Sequence, residues 1–112
     1  MAYDEILALR VRTVLQGKHG IKEQKMFGGL CFLHNGNMLC GVDKDKNLMV
    51  RVGPEQYELA LRSKHARQMD FTGKPLKGLV YVAREGYRTK AKLVKWIDMG
   101  LNFTNTLPTK KK

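Results

Sequence analysis

One stretch decides the fold of this chain: MFGGLCFLHNGNMLCGV, residues 26–42, in which Asn35-Gly36 separates two apolar runs. An Asn-Gly dipeptide between apolar runs is the strongest short-range signal for a β-hairpin with a two-residue loop. If these two residues form the loop and the ladder is regular, Phe32 lies opposite Leu39. The sequence therefore predicts both an antiparallel sheet and the register of its first hairpin.

The same register makes the two cysteines of the chain direct neighbours, with Cys31 opposite Cys40. In such a pair the Cα atoms approach to about 4.5 Å, which is at the short edge of the disulfide range. Residues 1–5 lack a basic region followed by an apolar core, so we expect a cytoplasmic protein with reduced thiols. The favoured interpretation is two thiols packed as small apolar side chains, and a redox or metal role is the alternative.

Length and charge bound the class of protein. The 112 residues suit a single domain, which we place at residues 1–107 with a basic tail at 108–112. Apolar runs are far shorter than the ~20 residues of a membrane-spanning helix, so we expect no membrane partner. The net charge is +11, and residues 1–60 hold 8 Lys or Arg and 7 Asp or Glu, whereas residues 61–112 hold 13 and 3. This asymmetry favours an acidic partner, either a nucleic acid or an acidic protein surface.

Apolar periodicity and turn signals predict an alternation of helices and short strands. The predicted elements are, in chain order, a helix at 4–16, strands at 21–33, 37–42 and 48–52, a helix from Pro54 to about Ser63, an extended piece at 68–71, a strand at 79–82 and a final helix capped by Thr89. Within the first of these strands, Gly28-Gly29 indicates a bulge or a close approach of the backbone.

Four blocks of the sequence carry a family resemblance: residues 25–32 (KMFGGLCF), 35–38 (NGNM), 48–55 (LMVRVGPE) and 69–75 (MDFTGKP). Together they resemble the N-terminal domain of the TfoX/Sxy family, from Tyr3 to about Leu107. The resemblance implies an α+β fold, a two-layer α/β sandwich of order α-β-β-β-α-β-β-α with the helices on one face of an antiparallel sheet. Family members regulate competence genes together with a transcription factor, and full-length members carry a second, C-terminal domain that these residues do not include.

The hairpin register also divides the side chains between the two faces of the sheet. With a regular ladder, both cysteines lie under the helices, together with Leu48 and Val50 of the third strand. The other face is then open, and its predicted apolar surface is formed by Leu30, Phe32, Leu39, Met49 and Arg51. Because contiguous exposed apolar surface marks an interface, we expect this face to bind a partner protein or a second copy of the chain.

A second candidate surface is basic and lies at the start of the final helix. Arg88, Lys92 and Lys95 recur at i, i+4 and i+7, and the complete set of candidate contacts is Arg84, Arg88, Lys90, Lys92 and Lys95. A cation near the N-terminal end of a helix costs about 0.3–1 kcal/mol, which suggests that something acidic compensates. No helix-turn-helix, RNP-like or zinc-finger pattern accompanies these residues, so the predicted nucleic-acid contacts are to phosphates and independent of sequence.

Catalysis is the least supported class of function. His19, His34 and His65 are scattered over a loop, a hairpin tip and a helix end, and no paired carboxylates share a predicted pocket. The resemblance implies no catalytic residues and no cofactor. We therefore expect a non-enzymatic regulatory or adaptor module that binds a protein such as a transcription factor or a polymerase component, with sequence-independent nucleic-acid binding as the alternative.

Overall fold

Runs of antiparallel strands are separated by helices along the chain, which is the organisation of an α+β protein. The structure is a computed structural model and describes residues 3–26, 28–69 and 78–109. Its elements are α1 (Glu5–Val14), β1 (Ile21–Met26), β2 (Gly29–His34), β3 (Asn37–Asp43), β4 (Leu48–Arg51), α2 (Tyr57–Leu61), β5 (Ala66–Gln68), β6 (Leu79–Val82), a 3-10 turn (Arg84–Gly86) and α3 (Lys90–Thr104). The predicted fold class is confirmed, with one more strand than predicted.

The two-residue loop at Asn35-Gly36 is confirmed. Both residues have positive φ angles, 52° for Asn35 and 85° for Gly36, which is the backbone that a type I′ turn requires. His34 pairs with Asn37 across the loop. Since the twist of this turn matches the twist of the strands, the Asn-Gly pair fixes where the β2–β3 hairpin reverses.

Beyond the first two pairs, the predicted register is wrong. Leu33 pairs with Met38 as in a regular ladder, but Phe32 pairs with Cys40, so the ladder shifts by one residue and Leu39 is the extra residue of a β-bulge. Cys31 consequently lies opposite Gly41 rather than opposite the second cysteine. Because side chains alternate between faces along a strand, a shift of one residue exchanges the faces of everything beyond it.

The predicted strand at 21–33 is two strands. β1 ends at Met26, β2 begins at Gly29, and the two pair antiparallel. Gly28 has a φ of 72°, which glycine adopts without strain, and it lies in the turn between them. The neighbouring Gly29 is packed so closely on β3 that a Cβ would overlap the carbonyl oxygen of Val42. The predicted bulge is therefore wrong, since Gly28 lies in a turn between two strands, whereas the alternative prediction of a close backbone approach is confirmed at Gly29.

The sheet is antiparallel with the strand order β1-β2-β3-β4-β6-β5, and the helices pack on one of its faces. The sheet side chains of this helix-side core are Leu30, Phe32, Leu39, Cys40, Val42, Leu48, Val50, Val80 and Val82. A separate cluster on the opposite face contains Cys31, Met38, Met49 and Met69. Its four members are at least nine-tenths buried.

Side-chain caps begin the two longer helices; Thr89 is the predicted cap of α3, whereas the prediction counted Asp4 as the first residue of α1. The Asp4 carboxylate accepts hydrogen bonds from the amides of Ile6 and Leu7, and the Thr89 hydroxyl accepts one from Lys92. These caps satisfy amides that have no partner within the helix. None of the helices in the described part of the chain is long and apolar enough to cross a bilayer.

The region between β4 and β6 differs most from expectation. α2 is a short helix over Tyr57–Leu61, preceded by turn residues at 54–56, whereas the prediction began it at Pro54. β5 runs over Ala66–Gln68 and overlaps the predicted extended piece at 68–71 only at Gln68, and residues 70–71 of that piece fall outside the described residues. The predicted turn at 72–75 falls outside the described residues, while β6 has the bounds that the sequence predicts.

Candidate functional site

The five residues predicted to form an open interface do not share a surface. Leu30, Phe32 and Leu39 lie in the helix-side core, where their exposed fractions are 5%, 0% and 0%. Met49 is on the opposite face and also has no exposed surface, and Arg51 is partly exposed. Leu30, Phe32 and Leu39 lie on the helix side because the bulge at Leu39 reverses the faces of β2 relative to β4. The predicted exposure of the other face is also wrong, since Cys31 and Met49 are buried there.

The opposite face of the sheet is a sulfur-rich cluster. Gly41 makes it possible, since a Cβ there would lie only 2.9 Å from both the Cys31 Sγ and the Met49 methyl. The Cys31 thiol also donates a hydrogen bond to the carbonyl of Met26 at 3.7 Å. Methionine side chains adapt to irregular gaps, so this cluster is explained by packing.

The two cysteines lie on opposite faces of the sheet, in the two different clusters. Neither has any exposed surface. Burial raises the pKa of the Cys31 thiol to about 12, and burial is also the main cause of the raised pKa of Cys40. A thiol that stays protonated and has no access to solvent is a poor nucleophile and a poor metal ligand.

We expect neither thiol to react in the native protein and no disulfide to form between Cys31 and Cys40. Titration with Ellman's reagent should detect two thiols in guanidinium chloride and essentially none in native buffer at pH 7.5. A monomeric disulfide after mild oxidation of the native protein would contradict the placement of the cysteines on opposite faces.

The raised thiol pKa values also predict the direction of a pH effect on stability. Since both values are higher in the folded than in the unfolded protein, the stability from keeping the thiols protonated is complete below about pH 8.5. This contribution to stability is lost as the pH rises above about 8.5 toward the thiol pKa values of the folded protein. The free energy of unfolding measured with urea should therefore be lower at pH 10 than at pH 8. In a Cys31→Ala variant, the difference between these two pH values should be smaller.

The five predicted basic residues lie on two adjoining elements and are exposed. Arg84 is in the 3-10 turn, and Arg88 precedes the cap of α3, where its guanidinium lies 3.4 Å from the Glu85 carboxylate. Only Lys90, Lys92 and Lys95 are within the helix. The predicted helical stripe that starts at Arg88 is therefore wrong in its first member, since the chain becomes helical one residue after Thr89.

Arg10 of α1 fixes the segment that carries these cations. Its guanidinium donates hydrogen bonds of 3.0 Å to the carbonyls of Tyr87 and Arg88, and lies 5.7 Å from the centre of the Tyr87 ring. The Tyr87 hydroxyl in turn donates to the carbonyl of Lys46 at 2.6 Å. These bonds hold the entry to α3 against α1 and against the turn between β3 and β4.

A pocket of about 330 Å³ opens between α2 and α3. Its apolar part is formed by Leu59, Ala60, Trp96 and Met99, and its polar part by Ser63, His65, Lys92 and Lys95, with Gly86 completing the wall. The lining of this pocket, as far as the described residues form it, contains no carboxylate. We call it the α2–α3 pocket.

Trp96 defines the floor of the α2–α3 pocket. Its indole N–H donates to the carbonyl of Gly86 at 2.9 Å, which satisfies its only polar atom. Gly86 also packs closely on His65 of the opposite wall, since a Cβ at Gly86 would lie 2.7 Å from the Cβ of His65. The indole is therefore fixed in orientation and contributes apolar surface to the pocket.

The outer face of α1 carries an exposed apolar pair that the sequence analysis did not single out. Ile6 and Leu9 are 78% and 60% exposed and lie three residues apart, on the side of the helix away from the buried Leu7 and Val11. Side chains at this spacing are neighbours on a helix surface. The signal was present in the helical pattern, because these two positions lie outside its buried stripe. We call them the α1 ridge.

The sequence was also compared with known families. It matches the model of the TfoX N-terminal domain over residues 13–104, which is most of the chain. This chain belongs to the TfoX N-terminal domain family. No curated protein and no solved structure matches it. The family resemblance predicted from the four sequence blocks is confirmed.

The range matched by the TfoX N-terminal domain begins near the end of α1 and ends with the last residue of α3. The residues of the α2–α3 pocket lie within this range, whereas Ile6 and Leu9 precede it. The pocket is thus part of the matched TfoX N-terminal domain, and the α1 ridge is outside it.

The three histidines of this TfoX N-terminal domain lie in different parts of the fold. His19 is exposed in the turn after α1, His34 is buried with its Nδ1 2.8 Å from the Thr104 hydroxyl, and His65 lines the α2–α3 pocket. Within residues 3–26, 28–69 and 78–109, no three His, Cys, Asp or Glu side chains are grouped so that they could hold a metal ion.

Proposed function

We propose that this chain is a non-enzymatic regulatory or adaptor module that binds another protein through the α1 ridge. The proposal is supported by membership of the TfoX N-terminal domain family and, above all, by the exposure of Ile6 and Leu9. Two large aliphatic side chains left in water side by side lose their hydrophobic stabilisation, which contact with a partner would restore. A transcription factor or a polymerase component is the kind of partner we propose.

The ridge is held on a rigid support, which lowers the entropic cost of binding. The buried side of α1 packs into the helix-side core through Leu7 and Val11. On its flank, Arg12 forms a two-bond ion pair with Glu23 of β1, with distances of 2.6 and 2.8 Å. We propose a cytoplasmic location for this activity.

Site-specific crosslinking tests the proposed surface. A photo-crosslinking amino acid at position 9 should form one defined adduct with another protein in cells, whereas the same amino acid at position 59 should not. Leu59 is a matched control, because it is also an exposed leucine, at 53%, but belongs to α2. With the purified partner, Leu9→Asp should weaken binding about tenfold or more, the effect of removing an apolar anchor, and Leu59→Asp should leave it unchanged.

Two outcomes would contradict this proposal. Equal loss of partner binding in Leu9→Asp and Leu59→Asp would show that the α1 ridge is not the contact. Adducts formed only with a second copy of the chain would replace the adaptor by a homodimer. The ridge alone is small against the roughly 1,200–2,000 Å² of a standard stable interface, so a homodimer would need further surface.

Nucleic-acid binding is the second candidate, favoured by the cations at the start of α3. The first turn of this helix has no acidic residue and carries the exposed Lys90 and Lys92, and the exposed Arg84 lies in the 3-10 turn that precedes the helix. Anions are stabilised at such a helix end, so phosphate contacts would offset the repulsion between these cations.

Fluorescence anisotropy with labelled duplex DNA at several salt concentrations tests this second candidate. If these cations bind phosphates, Arg84→Glu/Lys90→Glu should weaken binding and reduce the slope of log affinity against log salt by about 2. The matched control is Lys22→Glu/Lys25→Glu, the same change in net charge on β1, which should have little effect. Equal effects of both pairs, or loss of all binding near 0.15 M salt, would contradict a defined phosphate site.

A further inference from the structure

The α2–α3 pocket has the size and composition of a small-molecule site. Its volume of about 330 Å³ lies within the roughly 300–1,000 Å³ typical of ligand pockets. Most of its lining is apolar, with a few polar groups at the rim, which is the usual arrangement of such sites. This pocket is separate from the α1 ridge, through which the proposed adaptor acts, and shares only Lys92 with the cations of the nucleic-acid candidate.

Three polar side chains of the pocket, those of Ser63, Lys92 and Lys95, favour one kind of ligand group. Lys92 and Lys95 are three residues apart on α3, so their ammonium groups lie on the same side of the helix. The Ser63 hydroxyl is a hydrogen-bond donor, and its oxygen already accepts from the amide of His65 at 3.3 Å. With two cations, a free hydroxyl donor and no carboxylate in the described lining, the rim is complementary to an anion.

The floor of the pocket selects for an apolar body. The Trp96 indole has its N–H satisfied by Gly86, so it offers a ligand only its ring surface. Met99 and the exposed Leu59 extend this surface toward the rim. Methionine and tryptophan together fit both aliphatic and aromatic groups, because the thioether is flexible and the ring is flat.

We propose that the α2–α3 pocket binds a small amphiphilic organic carboxylate. Its aliphatic or aromatic body packs on Trp96, Met99 and Leu59, and its carboxylate lies between Lys92 and Lys95. Lys92 and Lys95, two of the five cations predicted to bind an acidic partner, would thus bind the carboxylate of this ligand.

Trp96 is the only tryptophan of the chain, so its fluorescence reports on the pocket directly. Three probes with the same apolar chain and different head groups are titrated: octanoate, octanol and octylammonium. Octanoate should bind about five- to tenfold more tightly than octanol, as expected for contact with two partly exposed cations. Octylammonium should bind more weakly than octanol.

Matched lysine variants separate the carboxylate contact from the apolar one. Lys92→Met/Lys95→Met keeps the apolar stems and removes the charges, so octanoate affinity should fall to that of octanol while octanol affinity stays the same. Lys90→Met removes a charge from the same helix turn but from outside the pocket lining and should change neither. Leu59→Asp should weaken the binding of both octanoate and octanol.

The proposal is overturned if octanoate and octanol bind equally to the wild-type protein, or if Lys90→Met lowers octanoate affinity as much as the double lysine variant. Amide resonances that shift with octanoate only outside α2 and α3 would overturn it as well. None of these results bears on the α1 ridge, whose crosslinking and Leu9→Asp experiments have separate readouts.

Discussion

Phe32→Asp is expected to leave the protein largely unfolded at 25 °C. Phe32 has no exposed surface and lies in the helix-side core. Loss of its ring should cost about 3–5 kcal/mol, and a buried carboxylate without a partner adds several kcal/mol more. Together these costs reach the roughly 5–15 kcal/mol of a typical domain's total stability. Far- and near-UV circular dichroism, with urea unfolding of the wild type as reference, measures the effect.

Leu33→Asp is the matched control for this substitution. Leu33 is the next residue along β2, faces the opposite side of the sheet and is only half buried. Its carboxylate can reach water, so we expect a folded protein with a lowered melting temperature. The reverse result, a folded Phe32→Asp and an unfolded Leu33→Asp, would show that the helices cover the other face.

Gly29→Ala is expected to be the most damaging single-methyl change in the sheet. A Cβ at Gly29 would overlap the carbonyl oxygen of Val42 and lie 2.9 Å from the Asp43 Cα, both of them backbone atoms that no rotamer change can move. Relief requires β2 and β3 to separate, so we expect a loss of about 3 kcal/mol or more in the free energy of unfolding. Urea unfolding monitored by Trp96 fluorescence measures the loss.

Gly17→Ala separates this steric cost from the general cost of replacing a glycine. Gly17 has a φ of 86°, and no atom lies within 4 Å of a Cβ built there. Its substitution should therefore cost only the strain of a positive φ, about 1 kcal/mol. If Gly29→Ala were no worse than Gly17→Ala, the close contact between the β2 and β3 backbones would be contradicted.

The features that the sequence predicts correctly are those set by local chemistry. Asn35-Gly36 determines its loop because few other residues adopt positive φ angles at both positions. Thr89 determines the start of α3 because its side chain bonds an amide within the next turn. β6 follows from a short apolar run bounded by a glycine. Each of these signals is complete within a few residues.

The assignment of faces fails because β2 and β3 carry buried residues on both sides. Nearly every position of these strands is buried, so apolar and polar residues do not alternate. Without alternation, a strand gives no information on which side faces the helices. No glycine or proline marks Leu39 as the bulged residue, and the faces depend on that one position.

The α2–α3 pocket is beyond sequence reasoning for a different reason. The spacing of Lys92, Lys95, Trp96 and Met99 on α3 can be predicted from helical periodicity, but the opposite wall comes from Leu59, His65 and Gly86, on three other segments. Their approach depends on the position of α2 beside β5 and β6. Only long-range packing sets that position, and the short length of α2 was itself not predicted.

Because of the bulge at Leu39, β3 contains one residue more than its pairing with β2 requires. β3 has seven residues against the six of β2, and Leu39 has no partner in the ladder. If evolution deleted this residue, Met38 would remain opposite Leu33 and Cys40 opposite Phe32, so no other side chain would exchange faces. Homologous chains could therefore differ by one residue here and keep the faces of both strands, although the Leu39 side chain would be lost from the helix-side core.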